Sequence, residues 1–278
     1  MTKYIQAQNV SSGWLAALEH LLLCGGKDVN VIVQIEDVGE EELRIRQFLD
    51  EFLAEQNARK EGYYPVSTVA NTLFPQAFYN PRRGEAVRRY LYEMAEQSFA
   101  IARRLPANQN GTYFQRMIAW SAKDKKLNQL EVIIKHLRGG LERGNSLSSA
   151  YEIGLSDVEE TNLNTGEIRI YQPGHDGRLR GFPCLSHIRL TLSKGKLHMT
   201  ALYRNQHFVQ KAYGNYVGLG RLLLFLCQEV GCGVGELVCV ASHADAELNL
   251  GKRAIIALVQ RCKAASTVTQ FEMFGKDA

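Results

Sequence analysis

Apolar positions along the chain switch between a helical and a strand-like period, and the switches lay out most of the elements. Gly13 to Leu23 repeats apolar residues at helical spacing, with Ser11-Ser12 before it and Gly25-Gly26 after it. That reads as an N-cap, an amphipathic helix and a glycine stop. Asp28 to Glu36 predicts a strand. Glu40 to Gln56 predicts a second helix, acidic at its start as the helix dipole favours. Val66 to Tyr79 predicts a strand broken at Pro75, and Glu85 to Arg104 a third helix closed by Pro106. Asn128 to Arg138 predicts a helix stopped by Gly139-Gly140, and Ser146 to Ile153 a strand. Residues 155 to 180 are polar and read as a long loop with a short strand at Glu167 to Tyr171.

Residues 206 to 230 predict a helix whose second half, Leu222 to Cys227, is apolar on all sides and therefore buried. Gly214, Gly218 and Gly220 weaken it relative to alanine, and their expected use is close packing against the sheet. Gly235 to His243 predicts a strand and Asn249 to Cys262 the last helix. The stretch from Ala264 onward is expected to be a thin, mobile tail.

The densest local signal lies between Gly181 and Asn215. Two strand-like runs flank Ser193-Lys194-Gly195-Lys196, a hairpin signal. A turn centred on Lys194 and Gly195 sets Cys184 opposite Arg204 or Asn205. A fixed cation beside a thiol lowers its pKa and favours the nucleophilic thiolate. A cysteine inside a strand is otherwise an inert core residue, and both readings of Cys184 stand. A hydrolase triad would need His187 or His207. His187 points away from Cys184 on an alternating strand, whereas His207 is nearer.

Composition narrows the classes. The chain has 278 residues, 45% hydrophobic and 22% charged, which suits one large domain or two small ones. No linker or repeat divides it, so a single domain over 1–278 is expected. The net charge of +4 is mild. Arg82-Arg83, Arg88-Arg89 and Arg103-Arg104 are scattered and read as solvated helix faces, not a nucleic-acid surface. None of the six cysteines forms a Cys-x-x-Cys pair. Cys227, Cys239 and Cys262 read as buried thiols, which points to a reducing compartment. The start has no signal-peptide shape and no apolar run matches a membrane span, so a soluble cytoplasmic protein is expected. The Gly231-to-Glu236 glycines precede a strand, the wrong order for a dinucleotide loop. His243 and Asp245 lack a third metal ligand of convincing spacing.

Pro183-Cys184, Tyr203-Arg204 and Gly214-Asn215 occur in an order that resembles the nucleotide site of the thymidylate synthase and pyrimidine hydroxymethylase superfamily. Gly111, Tyr113 and Trp120 match a run near that family's active-site floor. Asn128-Gln129-Leu130 and Ser149-Ala150-Tyr151 resemble two further motifs. The resemblance covers roughly 111–250 and implies a divergent member: an α/β chain of α+β type, with a mixed, mostly antiparallel sheet around a long buried helix. It implies a homodimer, a pyrimidine nucleotide of uracil type as ligand, and methylenetetrahydrofolate as one-carbon donor. Cys184 would be the catalytic nucleophile. Arg204 and Asn205 would hold phosphate, Asn215 the ring's amide edge and Asp245 a sugar hydroxyl. Tyr113 and His207 would complete the site.

The departures are as informative. A phosphate-binding Arg-Arg pair is replaced by Gly144-Asn145 with only Arg143 near, which weakens bidentate phosphate contacts. His207 stands for an Asp, and Glu247 for a Tyr that holds the sugar. The C-terminal strands and closing carboxylate tail that seal the folate are not legible after Cys262. Nor is the Trp-containing segment before Tyr113 that helps stack the folate. The folate half of the site therefore reads as degraded. The expected activity is an atypical pyrimidine nucleotide C5-methyl- or hydroxymethyltransferase. The alternative is a catalytically altered nucleotide-binding or regulatory protein on the same fold.

Overall fold

The structure, a computed structural model, describes residues 2–104, 111–122, 125–142, 167–170 and 184–274. In chain order the elements begin β1 (Lys3–Asn9), α1 (Val10–Leu23), β2 (Lys27–Asp37), α2 (Leu43–Arg59), α3 (Val66–Leu73) and α4 (Val87–Ala102). Next come α5 (Tyr113–Ile118), β3 (Trp120–Ala122), β4 (Lys125–Leu127), α6 (Gln129–Glu142) and β5 (Glu167–Arg169). The hairpin β6 (Leu185–Ser193) and β7 (Lys196–Tyr203) follows, then β8 (Gln206–His207), α7 (Tyr213–Val230), β9 (Gly233–Asp245) and α8 (Lys252–Phe274). The expected Ser146–Ile153 strand, Ser149-Ala150-Tyr151, Arg143, Gly144-Asn145, Pro183 and most of the 155–180 loop lie outside the described residues.

The chain forms two compact units. The first comprises Met1–Ala70, Tyr203–Gly220 and Leu237–Ala278. Its strands pair β1 with β2 in parallel, β2 with β9 antiparallel, and β8 with the end of β9 in parallel. Parallel neighbours need a crossover, and α1 supplies it between β1 and β2. Ile5, Ala7, Val31, Val33, Ile35, Leu237, Cys239 and Ala241 share one buried face, the period-two pattern of a half-covered sheet. Gly13 lets α1 lie close on that face: a Cβ there would meet Val33 Cγ1 at 3.0 Å.

α1 starts earlier than the Ser11-Ser12 cap implied. Asn9 is the N-cap, accepting from Ser12 N at 2.9 Å, while Ser12 Oγ accepts from Asn9 N at 3.2 Å. This reciprocal capping box leaves Ser11 free for tertiary work. Ser11 Oγ accepts from Glu42 N at 2.7 Å and bonds the Tyr213 hydroxyl at 2.7 Å. Trp14, fully buried, donates from Nε1 to Phe208 O at 2.7 Å.

The second unit comprises Asn71–Leu202 and Arg221–Glu236. β5 pairs antiparallel with β6, with Ile168 opposite Ile188. Lys194 and Gly195 link β6 to β7 with φ of 49° and 76°. Two consecutive positive φ values are the two-residue hairpin turn that the sequence signalled. The core gathers Phe74, Tyr79, Phe114 and Phe225, with ring centroids 4.9–6.0 Å apart in the contacting pairs. Beside it, Arg88 bridges Glu131 at 2.7 Å and Glu229 at 2.6 Å, and Tyr79 donates to Glu229 at 2.9 Å. Arg88 is therefore not the solvated arginine expected; Arg89 is, with 79% of its side chain exposed.

Three expectations are corrected, and one strand was missed. The Val66–Tyr79 strand is the helix α3 followed by short 3-10 turns. Val66, Val69, Ala70 and Leu73 are buried at helical spacing, and Asp50 Oδ1 accepts from Val66 N at 2.7 Å at the helix start. β1 passed unpredicted. The 206–230 helix begins as a two-residue strand and a π-helical turn, Phe208–Ala212, before α7. The tail expected to be thin from Ala264 continues α8 to Phe274. The buried thiols Cys227, Cys239 and Cys262 are as expected. Among the described residues, no helix is long and apolar enough to cross a membrane.

Glycines in α7 do permit close packing, but against other parts of the fold. A Cβ on Gly214 would meet Val69 Cβ of α3 at 2.6 Å, and one on Gly220 would meet Val38 O, just past β2, at 2.5 Å. Overpacking of this kind costs about 1–3 kcal/mol, against about 1 kcal/mol gained from alanine's helix propensity. Gly220→Ala is expected to lower unfolding stability by up to roughly 2 kcal/mol in urea melts. An unchanged or higher midpoint would show that Val38 yields without cost.

Candidate functional site

In the first unit the polar site is built where β9 ends. β8 lies beside that end, with Gln206 opposite Ala244 and His207 opposite Asp245. The chain then turns at Glu247, which adopts a left-handed conformation with φ 59° and ψ 49°. Asp245 Oδ1 accepts from Glu247 N at 2.7 Å and holds that turn. Asp245 Oδ2 pairs with Lys27 Nζ at 3.2 Å.

Glu247 is only 3% exposed. Its Oε2 accepts from Val209 N at 3.0 Å and Gln210 N at 2.8 Å, the N–H groups of the π-helical turn. The Gln210 side-chain amide donates to Oε1. His207 Nδ1 stands 3.5 Å from Oε1, ion-pair distance without a short hydrogen bond. A carboxylate aimed at free backbone N–H groups is the arrangement a helix N-terminus favours. Burial pushes the Glu247 carboxyl above the ordinary carboxylate range; the Gln210 donors and the neighbouring His207 oppose that rise.

The network continues outward. Asn205 Nδ2 lies 3.2 Å from His207 Nε2, and Asn205 Oδ1 lies 2.7 Å from His243 Nδ1. An amide nitrogen donates and an amide oxygen accepts. His207 Nε2 is therefore the acceptor, which puts the neutral ring's proton on Nδ1, facing Glu247. His243 carries its proton on Nδ1, facing Asn205. The arrangement links two imidazoles to one buried carboxylate through an amide. Asn215, 4% exposed, sits in the first turn of α7, and Arg204 is half-buried just after β7.

In the second unit, Cys184 is half-buried immediately before β6, and Tyr113 opens the short helix α5. Thr112 caps that helix, accepting from Gln115 N at 3.2 Å. The Tyr113 hydroxyl accepts from the backbone N–H groups of Cys184 and Leu185. Its pKa is raised, first by burial and next by the nearby Cys184 sulfur. Thiol and phenol are therefore neighbours, although the sequence took them from separate motifs. Arg116, one turn along α5, acts on the Tyr113 hydroxyl in the opposite sense and donates from Nη1 to Ile170 O at 3.1 Å.

Of the residues expected in the site, the structure thus joins Cys184 with Tyr113, and Asn205 with His207. Asp245 adjoins the second group through the Glu247 turn. His243 belongs to that group as well, but in a hydrogen bond to Asn205. Among the described residues, His243 and Asp245 belong to no cluster of three metal-ligating side chains. Sequence reasoning missed two members. Glu247 was read as the replacement of a sugar ligand, whereas its carboxylate caps a helix from 37 residues away. Arg116 went unnoticed, and its only local signal is the helical i, i+3 spacing from Tyr113.

No protein-family model matches the chain. It is similar to a protein of Methanocaldococcus jannaschii named "Putative thymidylate synthase", at 24% identity over 123 residues. That stretch is 44% of this chain and 49% of the relative, so the chain spans about half the length of the curated relative it matches.

A raised folded-state pKa makes Glu247 stabilising in its neutral form. Stability should be full below the ordinary carboxylate pKa of about 4.3 and fall as pH rises above it, by at most about 1.4 kcal/mol per unit. Urea melts from about pH 4 to 7 should show this fall in the wild type and its loss in Glu247→Gln. Parallel pH profiles for the two proteins would show that Glu247 does not titrate in this window.

Proposed function

We propose that the protein is a thymidylate synthase-like enzyme acting on a pyrimidine nucleotide, with Cys184 as nucleophile and ring carbon C5 as the site of one-carbon transfer. The observation that carries this reading is the contact of the Tyr113 hydroxyl with the Cys184–Leu185 backbone. A tyrosine so held can orient a ring or a water beside the thiol. The likeness to the archaeal relative supports the same reading.

The chemistry needs a thiolate because C5 of uracil is a poor nucleophile. The Cys184 sulfur bonds to C6, and the C5–C6 π pair moves to C5 and the O4 enolate. C5 is then nucleophilic. When C5 takes a proton from solvent and loses its original hydrogen, expulsion of the thiolate breaks the S–C6 bond and restores the ring. Arg204 and Asn205 are assigned to the phosphate and Asn215 to the amide edge of the ring. Asp245 keeps lone pairs for a sugar hydroxyl beyond those used by Lys27 and the Glu247 N–H. His207 adds a titratable donor next to Asn205.

The resemblance brings methylenetetrahydrofolate as donor. After β9 this chain forms α8, where Arg261 pairs with Glu51 at 2.9 Å and lies over the Phe48 ring, and Ser266 donates to Glu42. These side chains serve α2 and its start. One observation favours a second reading, nucleotide binding without transfer. Asn205 ties His207 and His243 together by hydrogen bonds, as a static binding surface would.

Tritium release from 5-tritiated dUMP, UMP, dCMP and CMP, with and without methylenetetrahydrofolate, separates the two. Release from a uracil nucleotide, lowered about 10³-fold or more by Cys184→Ala, is the expected result. Nucleotide binding without release would favour the second reading. Neither binding nor release would overturn both.

A further inference from the structure

A second constellation of reactive side chains lies in the first unit, at the far end of α1 from its Asn9 cap. His20 and Cys24 stand one turn apart, at i and i+4, at the C-terminal end of that helix. Gly25 and Gly26, with φ of 78° and 100°, reverse the chain at once into β2. The reversal is fixed by Cys24 N donating to His20 O at 3.1 Å and Gly26 N donating to Leu21 O at 2.7 Å. Asp28, the second residue of β2, is thereby returned to His20. Its Oδ2 lies 2.7 Å from His20 Nε2. Cys24 Sγ lies 3.5 Å from Nε2 and 3.8 Å from Nδ1 of the same ring. One ligand atom from each of the three residues falls within 4.8 Å of the others.

We propose that His20, Cys24 and Asp28 form a binding site for a thiophilic divalent cation of the zinc type. The ligand set is one imidazole, one thiolate and one carboxylate, the chemistry that Zn2+ accepts. Tetrahedral zinc, with bonds of about 2.0–2.3 Å, places N and S about 3.5 Å apart and N and O about 3.4 Å apart. The N–S separation is already at that value. The N–O separation is a hydrogen bond that must open by about 0.6 Å to reach it. Asp28 Oδ1 accepts from Val29 N at 2.8 Å, which orients the carboxylate from behind and leaves Oδ2 to face the site. Lys27 is turned away to Asp245, so its ammonium does not compete for Asp28. His20 and Asp28 keep 18% and 19% of their side chains exposed, and Cys24 is exposed, so a cation has an open approach.

Loading the site moves two protons. The Cys24 thiol loses its proton to solvent as the S–metal bond forms. The imidazole proton moves from Nε2 to Nδ1 through solvent, which frees the Nε2 lone pair for the metal. Three protein ligands leave one position of a tetrahedral ion open. The bound cation would join the end of α1 to the start of β2, across a turn now held by backbone hydrogen bonds and the His20–Asp28 pair.

The test is titration of the reduced, chelator-stripped protein with Co2+, followed by Zn2+. The expected result is one Co2+ per chain, with a thiolate-to-cobalt charge-transfer band, d–d bands of four-coordinate intensity, and displacement by Zn2+. Cys24→Ala should remove the charge-transfer band, and the exposed position makes this variant safe for folding. His20→Ala and Asp28→Asn should each weaken binding by about 10-fold or more, with circular dichroism confirming the fold. Cys232→Ser should leave the band intact. Absence of the band at excess Co2+, or its survival in Cys24→Ala, would overturn the proposal.

Discussion

One buried carboxylate governs the first unit. Glu247 cannot remain in the protein interior without donors, because an unpaired buried charge costs several kcal/mol. The backbone meets that demand by turning its first free N–H groups, those of Val209 and Gln210, onto Oε2. The demand also accounts for the unusual start of the buried helix. The π-helical turn Phe208–Ala212 presents those N–H groups to the carboxylate, while Trp14 bonds Phe208 O and Ser11 bonds Tyr213 from the other side. Glu247 in turn accepts a left-handed backbone, held by Asp245. Strain at a non-glycine residue persists where surrounding contacts over-determine it, and such places are often functional.

The His207–Asn205–His243 chain hangs from that anchor. Because His207 faces Glu247 through Nδ1, its other nitrogen is committed to Asn205, and a change at either imidazole is felt along the amide between them. Protonating His207 would make both its nitrogens donors and oblige the Asn205 amide to turn over. Asn205 and His207, which the family resemblance placed in the nucleotide site, thus belong to one coupled polar group. The second unit is built differently. There Cys184 meets one phenol whose hydroxyl is fixed by backbone donors, with the aromatic core and the Arg88–Glu229 network supporting the surrounding helices.

Much of the fold was legible in local pattern. The hairpin turn at Lys194-Gly195 follows from two residues that tolerate or favour positive φ, and α1, β2 and β9 follow from their periods. Where pattern failed, the reason is specific. Val66–Leu73 has β-branched residues at strand-like density, but the burial that decides its state runs at i, i+3, i+4, i+7. β1 is short and half exposed, so its alternation is weak without β2 beside it. In the site, Cys184, Tyr113, Asn205 and His207 were legible as residues. Their neighbours were not, because Glu247 reaches Val209 and Gln210 only after the intervening α7 and β9 have folded.

The sequence by itself determined which side chains could do chemistry, where the chain turns, and which helix had to be buried. Those properties depend on residues within a few positions of one another, through backbone sterics and the period of apolar residues. Tertiary structure alone decided what Glu247 does, why the buried helix starts with a π turn, and that Tyr113 lies against Cys184. It also decided that Gly214 and Gly220 make room for Val69 and Val38 instead of a sheet. Each of those outcomes rests on the desolvation or crowding of groups distant in sequence, and neither force exists until the chain is packed.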